Sequence, residues 1–228
     1  MPRTHTLSSP RFPGRRERRR TETRERIFRA ALRLFAERGF AAVTVEDITE
    51  AADVGKGTFF NYFPTKEHIF AAFGQLQVGK IKAAVERARS GSPAVEVWRE
   101  LIPQLAEEPG RSRELVRAIL VAVHSSDAVR DLLREQLLEG RAALGELLAM
   151  GQKQGAVRRD RPALDLARMM QQMAFGTLML WALHKSNEPA TVWMTTAMDT
   201  LRTGFQPRDH SAIRKAGKGF RTGKEKRS

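Results

Sequence analysis

Lys56, Thr58, Asn61 and Tyr62 bring an ammonium, a hydroxyl, a carboxamide and a phenol into one stretch of seven residues. Groups of these types bond to base edges and phosphate oxygens, so duplex nucleic acid is the partner a helix carrying them would suit. Phe59 and Phe63 are four apart and share one face of such a helix. Turned towards a preceding helix, they leave Lys56, Thr58, Phe60, Asn61 and Tyr62 nearer the outer side. Upstream, Thr44-Val45-Glu46-Asp47 sets a threonine cap three residues before an acid, which starts a helix at Val45. Thr44 can cap with one lone pair and keep its hydroxyl proton free. That helix ends near Ala52, because Asp53-Val54-Gly55 has turn chemistry and Gly55 can adopt backbone angles closed to other residues. Two short helices joined by such a turn form a helix-turn-helix, here Val43 to Tyr62, whose second helix fits a major groove about 12 Å wide.

Other chemistries find no support. The 228 residues include no cysteine, which removes disulfides, thiolate catalysis and cysteine-held metals. His5, His68, His124, His184 and His210 are scattered, with no His-x-x-x-His or Glu-x-x-His pair and no phosphate-binding glycine loop. No catalytic centre, metal site or cofactor is therefore expected. No apolar run approaches the roughly 20 residues of a membrane span, and a cytoplasmic protein with no membrane partner is expected.

The net charge of +14 sits in two tails. Residues 1–26 carry nine arginines against three glutamates, and residues 206–228 carry eight lysines and arginines against two acids. Residues 1–20 read as a disordered basic arm and 206–228 as a disordered basic tail, since neither can bury enough apolar surface to offset ordering. The first, running into a DNA-reading unit, could also neutralise phosphates or enter a minor groove.

The elements that must position this chemistry are all helical. Ile27, Ala31, Leu34 and Phe35 form the stripe of a first helix over Thr21 to Gly39, where Gly39 supplies a left-handed stop. Helix 3 covers Lys56 to Tyr62, and Phe63-Pro64-Thr65 closes it. Helix 4 is expected from Lys66 to Arg89, helix 5 from Ala94 to Glu107, helix 6 from Ser112 to His124 and helix 7 from Ala128 to Gln154. Helix 8 runs from Pro162 to Lys185 and helix 9 from Pro189 to Phe205, each opened by a proline. The fold class is all-α, about nine helices, with a helix-turn-helix domain over 21–66 and a larger helical domain over 67–205.

Arg26-Ile27, Ala30-Ala31-Leu32, Leu34-Phe35, Gly39, Thr44, Ile48, Gly57-Thr58, Phe60, Tyr62-Phe63 and Lys66-Glu67 together resemble the N-terminal signature of tetracycline-repressor-like (TetR family) regulators. The resemblance covers about residues 23–70. It implies a homodimer that binds palindromic operator DNA, usually as a repressor, and lets go when a small molecule enters the C-terminal domain. Position by position, it implies a phosphate contact at Thr44, base reading by Lys56, Gly57, Thr58 and Asn61, and backbone contacts by Tyr62 and Lys66. Phe60 stands where the family usually has tyrosine, which leaves either apolar contact with a thymine methyl or sugar in place of a hydroxyl, or plain packing in the small three-helix core, as Tyr62 could also do. Asp53 stands where a small residue is common, and its carboxylate would repel phosphates unless it capped the next helix.

In the C-terminal domain, helix 8 is apolar almost all round and must be covered on every side. The resemblance implies one face against helix 9 and a partner subunit and the other lining a pocket. Expected interface residues are Met179, Val192, Trp193, Ala197 and Leu201. Expected wall residues are Trp98, Leu101, Leu105, Leu120, His124 and Met173, with His124 as polar anchor. Met169, Met170, Met173 and Met179 would suit a largely apolar effector, although a plain core uses methionine equally well. The rival reading is a non-sensing, architectural DNA-binding protein using both tails.

Overall fold

The computed structural model describes residues 15–185 and 187–206. Among them there are nine α-helices, one short 3-10 turn and no strand. Helix α1 (Arg15–Arg38) begins earlier than its apolar stripe predicts, so residues 15–20 of the expected arm are helical; residues 1–14 and the tail beyond Gln206 lie outside the described residues. Gly39, at φ +79°, ends α1 as expected.

Helix α2 (Val45–Ala51) and α3 (Lys56–Phe60) follow. The left-handed residue between them is Asp53, at φ +50°, while Gly55 is extended at φ −72° and precedes α3. The turn thus uses an aspartate, one of the few side chains that tolerate this region, where a glycine was expected to provide it.

Helix α4 (His68–Arg89) starts two residues later than expected. Thr65 and His68 interact side chain to side chain at 3.0 Å across the junction, and Lys66 turns back towards the loop after α1. Helix α5 (Ala94–Glu107) leads through the 3-10 turn Pro109–Arg111 into α6 (Arg113–Ser125). Helices α7 (Asp127–Lys153), α8 (Ala163–Leu183) and α9 (Ala190–Phe205) complete the chain. Ser112 and Ser126 cap α6 and α7, each accepting from an amide three residues on.

Two large cores and one small cluster around Val116 and Trp181 hold these elements. In the first, Phe35, Phe40 and Phe70 form a ring triad with centroids 5.1 to 5.3 Å apart, joining α1, the loop after it and α4. Ala118 and Ala122 of α6 and Val129 of α7 belong to the same core. It therefore crosses the boundary drawn at residue 66 without interruption. The second core packs α4, α5, α7, α8 and α9 around Trp98, whose ring lies 5.6 Å from Phe205. The Arg158 amide donates to the Phe205 carbonyl at 2.7 Å, pinning the end of α9 to the loop before α8.

Helix α8 is not covered on every side. Leu166, Ala167, Met170 and Trp181 are buried, but Met169, Met173, Phe175, Met179, Leu180 and Leu183 are exposed. At 100° per residue these six fall within one contiguous half of the helix.

Candidate nucleic-acid interface

The helix-turn-helix is built from its apolar residues outward. Phe59 and Phe63, both essentially fully buried, sit 5.8 Å apart and fix the rotation of α3. That register exposes Lys56, Gly57, Phe60 and Asn61 and leaves Thr58 and Tyr62 half-buried. Phe60 is 45 % exposed, its ring edge-on to Phe59 at 5.4 Å, so it is an outward apolar surface and not a core residue. Tyr62 packs its ring against the first core.

At the other end of the motif, Thr44 is the cap the sequence predicts, with the reciprocal half of the box complete. The Asp47 amide donates to Thr44 Oγ1 at 3.1 Å, and the Thr44 amide donates to Asp47 Oδ2 at 2.8 Å. The Thr44 hydroxyl also donates to Asp47 Oδ2 at 2.6 Å, so the proton expected to stay free for a phosphate is already in use. Those bonds from the Thr44 hydroxyl and amide, with Arg38 at 3.3 Å beside the carboxylate, hold the Asp47 pKa below the ordinary aspartate value. Glu46 is likewise lowered, chiefly by the hydrogen bond from Lys56. The start of α2 thus carries two ionised carboxylates of its own.

The basic residues of the motif are committed inside the protein. Lys56 is ion-paired with Glu46 across the turn. Lys66, expected on a phosphate, instead donates to the Val43 carbonyl at 2.8 Å and the Phe40 carbonyl at 3.0 Å, with its ammonium 4.5 Å from the Phe40 ring centroid. Two of its three N–H groups therefore brace the loop after α1. Asp53 does not cap α3, since no side chain bonds the start of that helix.

Sequence reading missed the part of α1 that flanks α3. The Arg24 guanidinium lies 5.3 Å from the Phe63 ring centroid. Arg20 and Arg24 also line an open groove of about 1130 Å³ with Asn61 and Tyr62, whose walls hold as many glutamates as arginines, Glu17 and Glu25 among them. The arginine run signalled this face; the lack of any apolar residue in it hid that it is helical.

The six expected pocket residues are not brought together. Trp98 and Leu101 are buried in the second core with Leu105 against them, and Leu120 packs separately with Val116 and Trp181. His124 is exposed, its Nδ1 2.7 Å from the Leu120 carbonyl of its own helix. Met173 is exposed on the outer face of α8. Of the expected interface residues, Met179 and Val192 are exposed. Trp193, Ala197 and Leu201 are half-buried; Trp193 donates through Nε1 to Glu188 at 2.9 Å and Leu201 packs on the second core.

A family model described as bacterial regulatory proteins, tetR family, matches residues 27–73. The crystal structure of Thermus thermophilus FadR, a TetR-family transcriptional repressor in complex with lauroyl-CoA, is 31% identical and superposes with a TM-score of 0.59, covering 82% of this chain and 96% of that one. The transcriptional repressor DhaR of Mycobacterium sp. strain GP1 is 26% identical over 80% of this chain and 93% of its own length. The transcriptional regulator EthR of Mycolicibacterium smegmatis is 28% identical over 87% and 98%.

Proposed function

Because the chain belongs to the TetR family of bacterial helix-turn-helix transcriptional regulators, we propose that it works as a homodimeric repressor on a palindromic operator. The observation that carries this reading is the rotation of α3. With Phe59 and Phe63 locked inward, Lys56, Gly57, Phe60 and Asn61 face outward with Thr58 at their edge. Asn61 would bond to a base edge and Phe60 would meet a thymine methyl or sugar, while Tyr62 offers its hydroxyl to the backbone.

The dimer is proposed to form through α8 and α9. From Met173 to Leu183 the outer half of α8 carries only apolar residues, and Gly176 in its midst has nothing within 4 Å of where a Cβ would lie. Such a face suits an isologous helix packing about a two-fold axis. The effector is proposed to be small and largely apolar. Met170, Met194 and Met198 belong to the second core with Trp98, and their flexible, polarisable side chains could re-pack around a guest. Among the described residues no helix is long and apolar enough to cross a membrane.

A gel-shift titration of the duplex upstream of its own gene against random duplex, at two salt concentrations, tests the reading. A repressor prefers the upstream duplex by a large factor. Equal affinity for both would favour an architectural protein.

A further inference from the structure

Lys56, the one basic residue of the helix-turn-helix, shares its charge with Glu46 in an exposed ion pair, and Lys66 just beyond it braces the loop after α1. Binding a duplex nevertheless rests largely on neutralising phosphates. Arg24 of α1 lies over Phe63 just beyond α3, and the first turns of the same helix carry Arg15, Arg16, Arg18, Arg19 and Arg20 against Glu17 alone.

Helix geometry aims part of this run. Arg16, Arg20 and Arg24 are spaced i, i+4, i+8 and continue the stripe that becomes Ile27 and Ala31 further on. Ile27 and Ala31 are fully buried in the first core. The face that packs on the protein at Ile27 therefore overhangs it at Arg16. Arg24 marks the transition, lying over Phe63 at the end of α3, and Arg20 shares the groove with Asn61 and Tyr62.

No ion pair among the described residues neutralises this charge, and Arg15, Arg16, Arg18, Arg19 and Arg20 are all exposed. Cations at a helix N-terminus oppose the macrodipole, so they do not serve the stability of α1.

We propose that the first turns of α1 are a second DNA-binding element, in which Arg16 and Arg20 grip the phosphate backbone flanking the bases that α3 faces. This rests on the operator-binding reading above. Arg15 and Arg18 lie on the opposite side of α1, above Arg29 and Arg33, and contribute less.

The test compares full-length wild type, R16A/R20A, R16K/R20K and R15A/R18A for binding to the upstream and random duplexes across a salt series. R16A/R20A lowers the slope of log affinity against log salt by about 1.8 per protomer, at ~0.9 per phosphate contact. It weakens both duplexes by a similar factor. R16K/R20K restores the slope, and R15A/R18A changes it by less than half as much. An unchanged slope in R16A/R20A, or a loss confined to the upstream duplex, overturns the proposal. A wild type that binds both duplexes equally defeats the operator reading alone, because the slope difference still decides this one. A wild type that binds neither defeats both.

Discussion

Lys66 Nζ lies 2.8 Å from the Val43 carbonyl oxygen, fastening the approach to α4 to the residue just before the α2 cap. Replacing Lys66 with methionine removes this bond and the one to Phe40, and charge-assisted bonds of this kind are worth about 1.5–3 kcal/mol. The urea midpoint falls accordingly, while the salt slope of DNA binding stays within the error of wild type. A slope lowered by a full unit at unchanged stability would return Lys66 to the phosphate backbone.

Glu46 holds Lys56 across the turn between α2 and α3. Glu46→Gln releases that ammonium on the exposed face. Affinity for random duplex rises, and the salt slope steepens by about 0.9 per protomer, as fluorescence anisotropy titrations at several salt concentrations can establish. Equal slopes for the two proteins would mean Lys56 already leaves Glu46 when DNA arrives.

Asp47 titrates below its ordinary range because Thr44 and Arg38 favour its charged form. A depressed folded pKa contributes stability that is present above the unfolded value, about 3.9, and lost as pH falls through the folded one. Asp47→Ala therefore melts below wild type at neutral pH, and the gap closes only in strong acid. A gap that persists there would assign the effect to hydrogen bonds with Thr44 that the side chain makes in either protonation state, not to its charge.

Met173 and Leu180 lie on the exposed half of α8. Charge placed there, as in M173E/L180E, leaves helicity intact and converts the dimer to a monomer, read by light scattering. A variant that keeps the wild-type mass moves the subunit contact elsewhere.

Trp98 is 3 % exposed and its ring is tilted against that of Phe205. Truncation to alanine costs about 3–5 kcal/mol, as for other buried aromatics, and the chemical denaturation midpoint reports it. A loss below about 1 kcal/mol would mean that the ring lines an open space after all.

Legibility followed how local each determinant is. Thr44 and Asp47 are three residues apart, so their capping box could be read directly, and the Phe59–Phe63 pair likewise fixed α3 from four-residue spacing. The helical state of Arg15 to Arg20 was hidden because periodicity is read from apolar residues and that run has none. The turn was recognised, but its left-handed residue was not, since glycine masks an aspartate that is held there by the surrounding backbone. The expected pocket residues fall in different places for a tertiary reason. Helix α6 turns Leu115, Ala118 and Ala122 towards α1, which leaves His124 in solvent, and no pattern within α6 says which neighbour its inner face will meet.

Helix α1 is a single rod of 24 residues, about 36 Å long. It shares a core with α6, without a linker between them. Pivoted near its C-terminal end, a tilt of about 5° would swing the Arg15 end by about 3 Å, close to the roughly 3.4 Å rise of one base pair. Such a rod would serve as a pointer, turning a small adjustment of packing against α6 into a displacement on the scale at which a duplex is indexed.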